Sequence, residues 1–450
     1  MKTTIDKVVD VVEEPTPRGI AAAIARLITS GELQPGDRIP TVRELAGRLG
    51  VSPATVSHAW QTLAAAGLII SRGRSGSFVR SLPRDWLPHR YRGMTGSIGA
   101  RLDLSRGTPD PELLPSLGPA MSRLVRRWGA EHGEPANYQA RPDIPELHDL
   151  LRETWPSSVE SITVTNGALD AIDRTLAALI RLGDRIIVEG PTFPPFLDLA
   201  ELYGLDVIAV PMDAEGMIPE EFARALLRKP AVVLLQPRAH NPTGVSMSPE
   251  RAATLAGILT RSRPGHDTLV IEDDHSGSIS VAPEVSLATW LPDRVLHVRS
   301  FSKSHGPDLR IGALGGPRPL IDRVVARRLL GPGWTSRMIQ ALLYEVLTDP
   351  VTGAEIERAR HVYAERQAAM ATALTAAGVP TDARDGLNLW LEVSDERAAV
   401  AQLAAAGIQV AQGAAFQADE PQPRLRVTVG MVPVSDAPDV ASALASASRA

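Results

Sequence analysis

The stretch Ser300-Phe301-Ser302-Lys303-Ser304-His305-Gly306-Pro307-Asp308-Leu309-Arg310 holds one of only four lysines in 450 residues. Lys2 and Lys7 lie in a polar N-terminal tail, and Lys229 precedes a proline at a loop-to-strand junction. Lys303 alone stands among hydroxyls, Ser300 and Ser302, with Arg310 close behind. A primary amine beside hydroxyls and a guanidinium is what a Schiff-base lysine needs next to a phosphate site. The spacing points to pyridoxal 5'-phosphate.

Outward from Lys303 the pattern alternates apolar strands with helices, which predicts an α/β body with a mostly parallel sheet. Strands are expected over 185–188, 206–210, 232–236, 268–271, 295–298 and 312–315, and a long helix over 351–377. A smaller terminal subdomain with strands near 389–393 and 425–429 follows. Several strand ends carry a group such a cofactor requires. Gly167-Ala168-Leu169 opens a helix after a strand, where backbone N–H groups can cradle a phosphate. Phe193 can stack on a ring, Asn241 can donate to a ring oxygen, and an acid of Glu272-Asp273-Asp274-His275 can face a pyridine nitrogen. Read singly, Phe193 is a core residue and the three acids a metal or helix-capping site. The histidines show no paired metal spacing, so no metal is expected. The joint order of these pieces, with Ser300, Ser302 and Arg310 completing the phosphate cup, carries the reading.

The chain has no cysteine, which excludes disulfides, thiolate metal sites and cysteine nucleophiles. No apolar run is long enough to span a bilayer, and the N-terminus has no signal-peptide core, so a soluble cytoplasmic protein is expected. Charge is unevenly spread. Residues 15–80 hold eight Arg and three acids, a net of +5, leaving −10 for the remainder. A basic head on an acidic body suits one small module that touches DNA.

That head reads as three helices and a hairpin. Ile20, Ile24, Leu27 and Ile28 have helical spacing; Thr41 and Glu44 form a capping box; Ser52-Pro53 starts a third helix with Val56, Ala59, Trp60 and Leu63 inward. Ala54, Thr55, Ser57 and His58 then face outward. Leu68–Ile70 and Ser77–Val79 flank the basic turn Arg72-Gly73-Arg74, as in a winged helix-turn-helix. Residues 81–101, rich in Pro, Gly and Arg, read as a linker.

The run Gly31 to Ala46 with Leu49-Gly-Val-Ser-Pro-Ala-Thr-Val-Ser-His-Ala59 resembles the GntR family of bacterial regulators. The resemblance implies that Arg43, Ser52, Ala54, Thr55, Ser57 and His58 meet DNA, with Arg72 and Arg74 on the wing. Residues 102–445 resemble fold-type I aminotransferases through Ser105-Arg-Gly-Thr-Pro-Asp110, Asn241-Pro-Thr-Gly244, Ser302-Lys303 and Leu425-Arg426. The fusion is similar to the MocR group of regulators. It implies a DNA-binding domain over 1–80, a linker over 81–101 and an effector domain over 102–450. The implied fold class is α/β: a winged helix-turn-helix joined to a type I pyridoxal-phosphate-dependent transferase fold, with a large mostly parallel domain and a small C-terminal one.

By the same resemblance Lys303 forms the Schiff base, Asp273 pairs with the pyridine nitrogen and Asn241 contacts the 3-oxygen. Arg310 and Ser302 bind phosphate, Tyr138 reaches the phosphate of a neighbouring subunit in a homodimer, and Arg426 fixes a substrate or effector carboxylate. The sequence departs from the group where His275 replaces a usual tyrosine; that imidazole can bond the 3-oxygen and is expected to titrate near neutrality. Around Tyr138 the usual Asp-Pro and Gly are also missing. Three functions stay open: a regulator sensing an amino compound or pyridoxal phosphate itself, a working aminotransferase with a DNA-binding head, and a cofactor-free scaffold.

Overall fold

The computed structural model describes residues 3–65, 68–71, 76–79, 88–91, 100–130, 138 and 140–449. Two compact units divide the chain, Met1–His89 and Arg90–Ala450.

The first unit comprises helices α1 (Thr4–Val11), α2 (Pro17–Thr29), α3 (Val42–Leu49) and α4 (Pro53–Ala65). A two-stranded hairpin of β1 (Ile69–Ser71) and β2 (Ser77–Val79) follows. Thr41 and Glu44 cap α3 reciprocally, and Gly50, at φ 69°, ends it in the left-handed region that favours glycine. The stripe Val56, Ala59, Trp60 and Leu63 is buried against Ile20, Ile24, Leu27 and Leu45. Two features depart from the sequence reading. The supposed N-terminal tail is a helix: Ile5, Val8, Val9 and Val12 share one face, and Val8 is fully buried in the core. Thr3 caps it, and Lys7 donates to the Glu32 carbonyl at 2.7 Å. Residues 36–39 also join the hairpin, since Gly36 N–H donates to Val79 and Ile39 N–H to Ser77. Arg72 and Arg74 lie outside the described residues.

The second unit contains β3 (Leu102–Leu104), β4 (Ser161–Thr165), β5 (Arg185–Gly190), β6 (Asp206–Asp213), β7 (Gly216–Met217), β8 (Val232–Leu235) and β9 (Leu269–Asp274). After these come β10 (Val295–Ser300), β11 (Gly312–Gly316), β12 (Leu389–Glu392), β13 (Ile408–Gln412) and β14 (Arg424–Val427). The large sheet has the order β4-β11-β10-β9-β8-β5-β6-β7, parallel from β10 through β6, with β11 running antiparallel to both its neighbours. Strand residues alternate between two cores. Ile187, Val233, Val270 and Val295 pack on one face, and Ile186, Val188, Leu234, Ile271 and Val298 on the other. Burial on both faces explains why these strands read as unbroken apolar runs.

The small sheet runs β12-β14-β13-β3 and packs on the helices Pro350–Ala376 and Ala437–Ala447. β3 was not foreseen: three residues, Leu-Asp-Leu, give too short an alternation to read. Arg90 and Tyr91, inside the stretch read as linker, belong to the second unit.

Register brings the strand ends to one edge. Thr165 of β4 pairs with Gly312, Gly312 with Ser300, and Val298 with Asp273. Ligands in open α/β sheets bind beyond such carboxyl ends.

Candidate functional site

In the first unit, Thr55 N–H donates to Ser52 Oγ at 3.2 Å, so Ser52 starts α4 with its own hydroxyl turned to the backbone. Ser52, Ala54 and His58 are exposed and Thr55 and Ser57 half-buried, all on one side of a helix whose opposite stripe is core. Arg43, on α3, is exposed and has no ion-pair partner among the described residues. Arg48, by contrast, pairs with Asp6 at 2.7 Å. Arg38 crosses the hairpin, where a Cβ on Gly76 would lie 3.0 Å from its Nε.

In the second unit a cavity of about 340 Å³ opens at the edge formed by the strand ends. Ala168, Leu169 and Phe193 line one part, Asn241, Asp273 and His275 another, and Ser300, Ser302, Lys303 and Arg310 a third. Gly167 stands behind Arg310: at φ 96° it takes a conformation that L side chains rarely adopt, and an added Cβ would sit 3.1 Å from Arg310 Nη2. Arg310 itself has φ 45°, a strained setting for a residue with a side chain. Tyr138 does not line this cavity; it is 87% exposed and lies against Trp334, ring centroids 6.1 Å apart.

The two neighbouring carboxylates of β9 are driven apart. Burial pushes Asp273 up to about 7, against a hydrogen bond from Gln236 and with Asp274 adding to the rise. Asp273 Oδ2 accepts from Gln236 Nε2 at 2.8 Å, while Oδ1 is buried without a partner. Burial would raise Asp274 as well, but the Arg238 guanidinium, 2.6 Å away, holds it below its ordinary value. One acid is fixed as an anion and the other is left to answer to whatever meets Oδ1.

Burial pushes the Lys303 amine down to about 8, with Arg426 and Arg310 adding to the fall and Asp273 opposing it. At neutral pH about one such amine in ten is unprotonated, against about one in a few thousand for an exposed lysine. Its Nζ donates to the Gly107 carbonyl.

His275 does not behave as the sequence suggested. Burial, then the Lys303 charge, push it down to about 3, so it is neutral near pH 7. Its Nε2 lies 3.0 Å from the Ala239 carbonyl, the partner a neutral ring N–H needs. Arg426 is also buried, which pushes it down to about 9. It donates to the Ser105 carbonyl and, at 3.4 Å, to Asn241 Oδ1, and its Nε has no partner.

Sequence reasoning missed Gln236, Arg238 and Tyr91. Gln236 anchors both Asp273 and, through its Oε1, the Asn241 N–H at 2.8 Å. A polar residue immediately after the apolar run Val232–Leu235 was the available signal. Tyr91 lines the cavity from a stretch with no periodicity at all.

The residues present fit a pyridoxal phosphate group. Asp273 Oδ1 is an orphaned buried acceptor suited to a protonated ring nitrogen. Gly167 leaves free the space beside Arg310 and the N-terminus of helix Ala168–Leu179 that a phosphate requires.

A family model described as aminotransferase class I and II matches residues 101–444, and one described as bacterial regulatory proteins, gntR family, matches residues 16–79. The vitamin B6 salvage pathway transcriptional repressor PtsJ of Salmonella typhimurium is 36% identical over 93% of this chain and 95% of its own. The pyridoxine biosynthesis transcriptional regulator PdxR of Corynebacterium glutamicum is 29% identical over 79% and 78%. Among solved structures, a kynurenine aminotransferase from Pyrococcus horikoshii matches with a TM-score of 0.70 at 22% identity, over 80% of this chain and 96% of that one.

Proposed function

Because the chain belongs to the MocR type of transcriptional regulator, a gntR-family head joined to an aminotransferase class I and II body, we propose that it binds operator DNA and adjusts its occupancy to the supply of pyridoxal 5'-phosphate. The observation that carries this reading is the likeness, along nearly the whole of both chains, to a repressor named for vitamin B6 salvage. The proposed setting is the cytoplasm and the proposed assembly a homodimer, in which exposed Tyr138 serves the partner's cavity.

When bound, the cofactor offers an aldehyde that an amine captures reversibly and a ring that withdraws electrons. The chain's own residues do the rest. Lys303, partly deprotonated by its surroundings, is the capturing amine. Asp273 would hold a proton at the ring nitrogen through Oδ1, and Gln236 keeps that carboxylate in place through Oδ2. Gly167, Ala168 and Leu169 present the helix N-terminus to the phosphate, with Ser300, Ser302 and Arg310 around it. Phe193, which lines the cavity, would pack on the ring. Asn241, whose Oδ1 is turned to Arg426, has its amide N–H free to meet the 3-oxygen. His275, neutral and bonded to Ala239, shapes that side of the cavity without carrying charge. In the head, Arg43 and the start of α4, with Arg72 and Arg74, form the DNA face. The signal shifts DNA occupancy only by as much as it binds the two states of the protein differently, typically about 1–3 kcal/mol.

Titration of the purified protein with pyridoxal 5'-phosphate, read by absorbance and by DNA binding, tests this. The expected result is a saturating band, a borohydride-fixed adduct on the Lys303 peptide, and a full DNA response to cofactor alone. Absence of that adduct overturns the reading. Buried Arg426, with an unpartnered Nε, favours a second reading in which an amino carboxylate is the signal. A DNA response that appears only with an added amino acid would establish it, and sustained keto-acid production would make the body a working aminotransferase.

A further inference from the structure

Tyr91 reaches the cofactor cavity from the stretch of chain that leads to the DNA-binding unit. It lines the cavity beside Phe193, Lys303 and Arg310. Its ring packs in a cluster with Phe193 and Trp390 around buried Ala411 and Phe416, at and just beyond the end of β13. The residue before it is pinned as well. Arg90 donates to Asp198 at 2.8 Å and pairs with Glu201 at 3.3 Å, both on helix Pro194–Leu202, which begins directly after Phe193. Two consecutive residues therefore grip Phe193 and the helix that follows it.

The hydroxyl of Tyr91 has no hydrogen-bond partner among the described residues. A phenol O–H lining the same cavity as the Arg310 guanidinium, and within its electrostatic reach, is a ready donor to the oxygen of a phosphate ester held there. Tyr91 is also only a dozen positions beyond Val79, the last residue of the hairpin. Fully extended, that length spans about 40 Å at most. Arg90 and Tyr91 are the first residues of the second unit, the part of the body nearest in sequence to the DNA-binding unit. A longer tether lowers the effective concentration of a linked module at its site.

We propose that Tyr91 contacts the ligand of the cofactor cavity, and that the Arg90–Tyr91 anchor transmits the state of that cavity along the chain to the DNA-binding unit. The proposal rests on the reading that the cavity takes pyridoxal 5'-phosphate. A phosphate ester bound at Arg310 gives the Tyr91 hydroxyl an acceptor and tightens the anchor. An empty cavity leaves the anchor to Arg90 and ring packing alone.

The test uses the full chain, pyridoxal 5'-phosphate, and a fluorescent duplex enriched by the protein from a random pool. Bound cofactor is read by absorbance, and duplex affinity by anisotropy with and without saturating cofactor. Wild type should show a cofactor-dependent change in duplex affinity of about 5–150-fold. Tyr91→Ala and Arg90→Gln should each cut that change to within about twofold, while the cofactor band still saturates when more is added. Tyr91→Phe keeps the packing but not the hydroxyl; it should bind cofactor about 2–10-fold more weakly. Coupling undiminished in either of the first two variants overturns the transmission, as does a wild type that captures cofactor without any change in duplex affinity. Unaltered cofactor affinity in Tyr91→Phe overturns the contact. A wild type that captures no cofactor at Lys303 overturns the functional reading itself.

Discussion

Replacing Asp273 by Asn separates the demands of the empty cavity from those of the filled one. In the cofactor-free protein the unfolded chain releases this proton near 3.8, while the folded chain keeps it to about 7. The native state therefore binds more protons between those values, and stability falls as pH rises through that window. A shift of about three units corresponds to about 4 kcal/mol lost by pH 8. Asn removes the charge and still accepts from Gln236, but it leaves an unpaired N–H where Oδ1 stood, costing about 1–3 kcal/mol. The variant should thus be more stable than wild type at pH 8 by about 1–3 kcal/mol. At about 2.1 cal/mol/K per residue over a unit of about 360 residues, that raises its transition by about 1–4 °C. The advantage shrinks as pH falls and is gone by about pH 5.

With pyridoxal 5'-phosphate that advantage is offset. Loss of a charge-assisted bond to the ring nitrogen weakens binding about 10–100-fold. Calorimetry of both proteins across pH 5–8, with and without cofactor, measures all of this. An Asn variant less stable than wild type at pH 8 without cofactor, or one of equal cofactor affinity, refutes the assignment of Oδ1.

Three further outcomes are expected. Gly167→Val forces a side chain into a φ of 96° and against Arg310; it should narrow the gap between pyridoxal 5'-phosphate and unphosphorylated pyridoxal affinity, measured by competition. The His275 ring resonances should stay at neutral-imidazole positions from pH 8 to pH 5, because burial pushes its pKa down to about 3; an NMR midpoint near 6.5 would contradict that burial. Arg43→Ala should weaken duplex binding and make its salt dependence shallower by about one ion, leaving the cofactor band intact; an unchanged salt slope would place the DNA face elsewhere.

The large sheet was legible because its strands are buried on both faces, so Val232–Leu235 and Val295–Val298 stand out as unbroken apolar runs. Lys303, Asn241 and Asp273 were legible because each follows or ends such a run, and the register then carries them to one edge. The N-terminal helix was missed although Ile5, Val8, Val9 and Val12 have helical spacing, since the acids between them were read as a solvated tail. What the sequence could not convey is environment. The imidazole of His275 is neutral because of what surrounds it, and the distinction between Asp273 and Asp274 depends on Arg238 arriving from another strand end. Tyr91 has no local pattern; only tertiary packing against Phe416 places it.

Asp273 and Asp274 are consecutive residues of β9, and consecutive side chains of a strand leave its plane on opposite sides. The sheet thus stations a proton-holding acid in the cavity and, on its other face, an acid that Arg238 holds in its anionic form. Sliding β9 by a single residue against Val298 would bring Asp274 to the place of Asp273 and His275 to the place of Asp274. Substitutions along this strand can be absorbed one at a time, but inserting or deleting one residue turns every side chain beyond it to the opposite face.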